Sequence, residues 1–246
     1  MGYRRPCDFY QLICELEKLC NRVCELKYNA AKKINQDVTK TQDARIVFLD
    51  AIQVNLSACI MLLSIYSDVR SNSPKELIKI MKSPPRLKSL SEKQHIAADE
   101  SIISDFLRLA LLLQFHFKIE IFFNNINNSL EGKYLRKFSD LYNKFIKKTE
   151  NNELRSDLIT NVFIALNFIR NSMHNNGIHR QETKLKMDIS GETFSFIKDE
   201  VVKCASWHHI LLLFDIIIPF IEKLLNNTDI EKIDYIRDDF SYVYEK

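Results

Sequence analysis

Glycine and proline are scarce in this chain, four and five among 246 residues. A turn-rich all-β fold would need many more of both, so the scarcity points to long helices. A one-sided charge is missing as well, with 35 Lys and Arg against 32 Asp and Glu, a net +3. That balance excludes a strong overall basic field and leaves room only for a local basic patch. Residues 1–6 run straight into a polar helical pattern without an apolar core region, so no secretory signal is expected. Gly2 stands where a myristoyl group would attach, but Pro6 occupies the place where Ser or Thr is wanted. Long charge-free apolar runs are absent from the two most hydrophobic segments: 46–66 contains Asp50, Gln53 and Asn55, and 210–220 is short and contains Asp215. A membrane span needs roughly 20 nearly uncharged residues. Both segments read as core helices, no membrane association is expected, and the chain reads as cytoplasmic.

The six cysteines, Cys7, Cys14, Cys20, Cys24, Cys59 and Cys204, include no CxxC pair. Cys20 and Cys24 stand one helical turn apart, as half of a metal site would, with no His near them in sequence. They read as small apolar residues on a helix face in a reducing compartment. No metal and no cofactor is expected.

What is present is helical periodicity. Residues 7–36 place Tyr10, Ile13, Leu16, Cys20 and Cys24 at three- and four-residue steps, with Asp8 as N-cap. A second helix is expected over 41–68, and the short connection makes the two an antiparallel hairpin. Residues 71–99 break the pattern with Pro74, Pro84 and Pro85 and a run of Lys, Ser and Glu. Further helices are expected over 101–128, over 133–149 with Tyr134, Phe138, Leu141 and Phe145 on one face, and over 153–175, ending near Gly177 as a left-handed C-cap. The period then changes. Leu185, Met187 and Ile189 alternate up to Ser190-Gly191, which predicts a small β-hairpin over 184–196. A last long helix runs over 206–225 with Ser206 as N-cap and Pro219 inside it, and 229–244 forms a polar, aromatic tail with a short helix. The expected fold is mainly all-α, a multi-helix bundle with one β-hairpin. The expected divisions are an N-terminal helical hairpin over 1–70, a linker over 71–99 and a helical bundle over 100–246 that carries the β-hairpin.

One segment is chemically pointed. Asn167 to His179 reads NFIRNSMHNNGIH, and it places Arg170 and His174 four residues apart at the end of a long apolar helix. On a helix that spacing puts both on one face, one turn apart. A neutral imidazole can take the proton of a ribose 2′-hydroxyl, and a guanidinium can hold a phosphate and stabilise the charge that builds on it. The pair suits metal-independent RNA cleavage to a 2′,3′-cyclic phosphate. The plainer account of the same residues is a helix C-terminus carrying positive groups, each worth roughly 0.3–1 kcal/mol against the helix dipole, with Asn175 and Asn176 as capping amides.

Arg170, Asn171 and His174 resemble the active-site signature of the HEPN superfamily, helical bundles marked by an Arg, a following polar residue and a downstream His. The likeness covers about 101–225, taking in IRNSMHNNG, the hairpin and Ser206-Trp207 at the start of an apolar helix. It implies catalytic roles for Arg170, Asn171 and His174. It also implies an endoribonuclease of a toxin or anti-phage defence type, a homodimer with a composite site, RNA as substrate, and an antitoxin or other defence-system protein as partner. Only three residues separate Arg170 from His174, a shorter spacing than is usual in the family. The alternative is therefore a non-catalytic helical module that binds a nucleotide, RNA or protein and carries a vestigial motif.

Glu120, Asn175, Asn176 and His179 are candidate supporting residues. Glu120 lies in a Phe- and Ile-rich stretch, where a buried carboxylate needs a partner such as Arg170, unless it faces solvent. His116 reads as a half-buried helix residue, and His208 and His209 as ordinary residues of a helix start. The basic run Lys79, Lys82, Arg86, Lys88 and Lys93 reads as solvated linker.

Overall fold

The computed structural model of the protein describes residues 9–73, 92–149, 156–182 and 184–238. Among these residues are seven helices and one two-stranded antiparallel sheet, the mainly helical bundle with a small hairpin that the periodicity predicts.

Helix α1 spans Phe9–Lys33 and α2 spans Ala44–Asn72. The expected stripe on α1 is displaced. Tyr10 is exposed, and the buried residues are Leu12, Leu16, Leu19, Val23, Leu26 and Ala30. Two stripes share Leu16, and the one richer in leucine faces the core because it buries more apolar area. The predicted N-cap Asp8 lies outside the described residues. The hairpin is antiparallel: Phe9 meets Tyr66 edge-on at 5.6 Å, and Lys27 reaches Asp50 at 2.8 Å. Helix α2 is capped by Asp43, whose carboxylate accepts from the Arg45 backbone N–H, so it starts later than the expected Thr41. By length and composition α2 could cross a membrane, and less than half of that stretch is buried. Val54, Met61, Leu62 and Ile65 lie on its open side.

Helix α3, Glu92–Glu131, reaches back into the stretch expected as a linker. No Pro or Gly interrupts 92–100, so nothing ends the helix earlier. The three prolines and most of the basic run lie outside the described residues. Helix α4, Phe138–Thr149, is shorter at its start than expected. Gly132 at φ +68° ends α3, and asparagines of α3 then hold the connection open. Asn127 Nδ2 donates to the Lys133 carbonyl at 2.7 Å, and Asn124 Oδ1 accepts from the Leu135 N–H at 2.9 Å. Those bonds satisfy backbone groups that a helix over 133–137 would have used.

Helix α5 spans Ser156–Met173, β1 spans Leu185–Ile189 and β2 spans Glu192–Phe196, with Met187 opposite Phe194. Ser190 and Gly191 both have positive φ, 53° and 87°. A two-residue hairpin turn with that backbone matches the twist of its strands. Helix α6, Trp207–Leu225, starts at Ser206, whose hydroxyl accepts from the His209 N–H, and it continues past Pro219. A four-residue helix, α7, spans Thr228–Glu231.

One apolar core runs through the α1–α2 hairpin and the rest of the bundle. Phe48 of α2 stacks on Phe122 of α3 at 4.3 Å, and Phe115 of α3 stacks on Phe214 of α6 at 3.8 Å. A buried ion pair fastens the segment after α7. Arg45 donates to both oxygens of Asp43, at 2.8 and 2.7 Å, and to the carbonyls of Ile230 and Asp234. Asp43 also accepts the Ile236 N–H at 3.0 Å.

Candidate active site

Helix α5 is apolar through Ile159, Val162, Phe163, Leu166 and Ile169, which are buried. That stripe fixes the rotation of the helix and turns Asn167, Arg170 and Asn171 toward α3. Helix α3 answers with His116, Phe117 and Glu120. Arg170 Nη1 donates to Asn171 Oδ1 at 2.9 Å, and its guanidinium carbon lies 5.4 Å from the centre of the Phe117 ring. Asn171 in turn donates to Asn167 Oδ1 at 3.5 Å. The Nε atom of Arg170 is buried without a partner.

Sequence reasoning placed His116 too far out. It is 1% exposed, its ring 4.5 Å from Phe138 and 6.0 Å from Phe117. Glu120 Oε2 lies 3.8 Å from His116 Nδ1, beyond hydrogen-bonding reach. Neither ring nitrogen has a hydrogen bond of good geometry, although the Asn167 side chain lies close enough to act on the ring as a weak one. Burial first, then the Arg170 charge, pushes the imidazole down to about 4, and a hydrogen-bonding interaction with the Asn167 side chain acts the other way. Glu120 is half-buried. Burial raises its carboxyl above the usual range, and Arg170 holds part of that rise back. The Glu120 carboxylate therefore feels the Arg170 charge through space. The sign that sequence alone offered for His116 was its place one helical turn before Glu120, with Arg170 expected across the interface.

The other candidates separate. Helix α5 stops at Met173, so His174 is the first residue beyond it and is exposed. The chain turns tightly there. The Asn175 and Gly177 N–H groups both donate to the Ser172 carbonyl at 2.9 Å, and Asn176 and Gly177 have φ of 56° and 81°. Asn175 reaches back to the Asn171 carbonyl at 3.2 Å and is otherwise exposed. His179 belongs to the packing. It is buried between Phe168 and Phe196, and its backbone pairs with Glu200 and Asp199. Among the described residues no three His, Cys, Asp or Glu side chains converge as metal ligands. Cys20 instead packs near Ser57, at 3.5 Å.

The arrangement can bind an anion. Arg170 is stacked from one side and steadied by an amide, while His174 stands at the surface one turn further along. Comparison with protein-family models, curated proteins and solved structures finds no match.

Proposed function

We propose that the chain is a HEPN-like, metal-independent endoribonuclease, with Arg170 holding the scissile phosphate and His174 taking the 2′-hydroxyl proton. One observation carries this reading. Arg170 is held by an aromatic face and an amide, and the Glu120 carboxylate acts on it only through space, so the cation is not locked in an ion pair. His174, exposed and four residues further along the chain, can meet a ribose. The attacking 2′-oxygen forms a bond to phosphorus, the 5′-oxygen leaves, and the 2′-proton passes to the imidazole. A second copy of the chain would supply a second Arg and His around the same phosphate, the two-fold arrangement commonest among homo-oligomers. An antitoxin-like or other defence partner fits the same reading.

The test is cleavage of single-stranded RNA in the presence of a chelator, with DNA as control. Arg170→Ala and His174→Ala should each abolish cutting, with general-base loss costing about 10²–10⁴-fold. Cutting that needs magnesium, or survives both substitutions, would place the chemistry elsewhere.

A second reading rests on the helix end. Because α5 stops at Met173, His174 is not held at helical spacing from Arg170. A module that binds RNA or a nucleotide without cleaving it would tolerate that separation. Salt-dependent binding of RNA that stays intact would favour it.

A further inference from the structure

Two buried polar groups in this cluster lack a well-formed hydrogen bond, Arg170 Nε and the His116 ring with only a weak approach from Asn167, and they are complementary. Arg170 Nε carries an N–H donor, and His116, neutral, offers one acceptor nitrogen. A Leu or Phe at 116 would fill the same space between Phe117 and Phe138 without leaving two dry nitrogens. Glu120 stands 3.8 Å from Nδ1 and favours the tautomer with its proton there, which leaves Nε2 to accept. Arg170 and Asn167 face the ring from α5, Glu120 faces it from its own helix, and Phe138 closes it from α4.

We infer that His116 is a positioning residue for Arg170, accepting the Nε–H and so fixing the guanidinium plane with its terminal nitrogens turned outward. In the structure Arg170 Nη1 donates to Asn171 Oδ1, so the inferred bond requires the side chain to turn away from that amide. Carboxylate, imidazole and guanidinium then form one relay of orientation, without net proton transfer. The use of that orientation on a phosphate rests on the ribonuclease reading; the bond itself does not.

The experiment is nitrogen-15 NMR on the full chain without added ligand. The Arg170 Nε–H signal, assigned through its loss in Arg170→Lys, should exchange slowly with water, and the His116 ring should show the Nδ1–H tautomer at neutral pH. His116→Phe should return that signal to the fast exchange of an exposed arginine, and His116→Gln, which keeps a neutral acceptor, should restore protection. If His116→Phe does not fold, His116→Leu serves in its place. An Arg170 Nε–H that exchanges fast in the native chain, or stays protected in His116→Phe, overturns the inference. In cleavage assays His116→Phe should lower kcat by about tenfold or more with KM little changed, and His116→Gln should recover it. Protection without RNA cleavage by the native chain would sink the ribonuclease reading and leave the positioning bond standing. Cleavage without protection would do the reverse.

Discussion

Arg170 lies over the face of Phe117, 5.4 Å from the ring centre, so the candidate phosphate-binding cation of one helix rests on an aromatic side chain of another. The ring is exposed at the surface, so little core packing depends on it. A cation–π contact of this kind is worth roughly 0.5–2 kcal/mol. Phe117→Ala should therefore weaken RNA binding by about 2- to 30-fold with a small change in melting temperature. Phe117→Tyr should bind like the native chain. Fluorescence anisotropy with a short oligoribonucleotide, beside a thermal melt, separates the two effects. Equal losses in Ala and Tyr variants would contradict the stacking role.

His116 gives the fold an acid sensitivity. Its folded value is pushed down to about 4 from an ordinary 6.5, so between these the unfolded chain binds more protons. Stability therefore falls as pH drops through that window, by about 3 kcal/mol in total, and no penalty is felt above it. Glu120 works against this. Its carboxyl is raised, so the cost of keeping it charged is felt at higher pH and disappears as pH falls through its folded value. Urea unfolding of His116→Phe between about pH 4 and about pH 7 should show a flatter acid slope than the native chain. An unchanged slope would place the acid-sensitive group elsewhere.

Asp43 and Arg45 are both fully buried, 2.7 Å apart, so removing one strands the other. Asp43→Ala should cost about 3–5 kcal/mol, since it leaves an unpaired buried guanidinium and an unpaired Ile236 N–H. Urea denaturation reads the total. Hydrogen exchange should show the loss of protection concentrated at 230–236, and a uniform loss across the bundle would argue against the clasp.

Ser206 caps α6 through the His209 N–H and also lies 2.6 Å from His209 Nδ1. Ser206→Ala should cost about 1 kcal/mol, as lost N-caps do. Ser206→Asp should keep most of the stability. A calorimetric melt that shows no difference between Ala and Asp would indicate that the cap contributes nothing.

Local patterns were legible where one short-range rule decided the structure. The Ser190-Gly191 turn, the Ser206 cap and the left-handed Gly177 all follow from what their backbone positions require. The start of α4 was not legible, because Asn124 and Asn127 of another helix hold residues 133–135 out of helical form. The stripe on α1 was misplaced because periodicity gives a spacing, and the packing partner chooses the phase. Within the candidate site, the grouping of Arg170 with Asn171 near the end of one helix could be read from sequence. The depth of His116 could not, since burial beside Phe138 arises from tertiary packing alone.

The clasp at Asp43 and Arg45 also sets a schedule for synthesis. Ala44 donates its N–H to the Ile236 carbonyl, and Arg45 needs carbonyls at 230 and 234. A ribosome that has delivered α1 and α2 has not yet delivered these acceptors. The Ala44 N–H and the outer side of the Arg45 guanidinium therefore lack their protein acceptors until a segment 193 residues beyond Asp43 has emerged. Loop closure over such a separation is slow compared with local pairing. The clasp thus closes only after the C-terminal segment is made, and it ties the first hairpin to the last described residues of the chain.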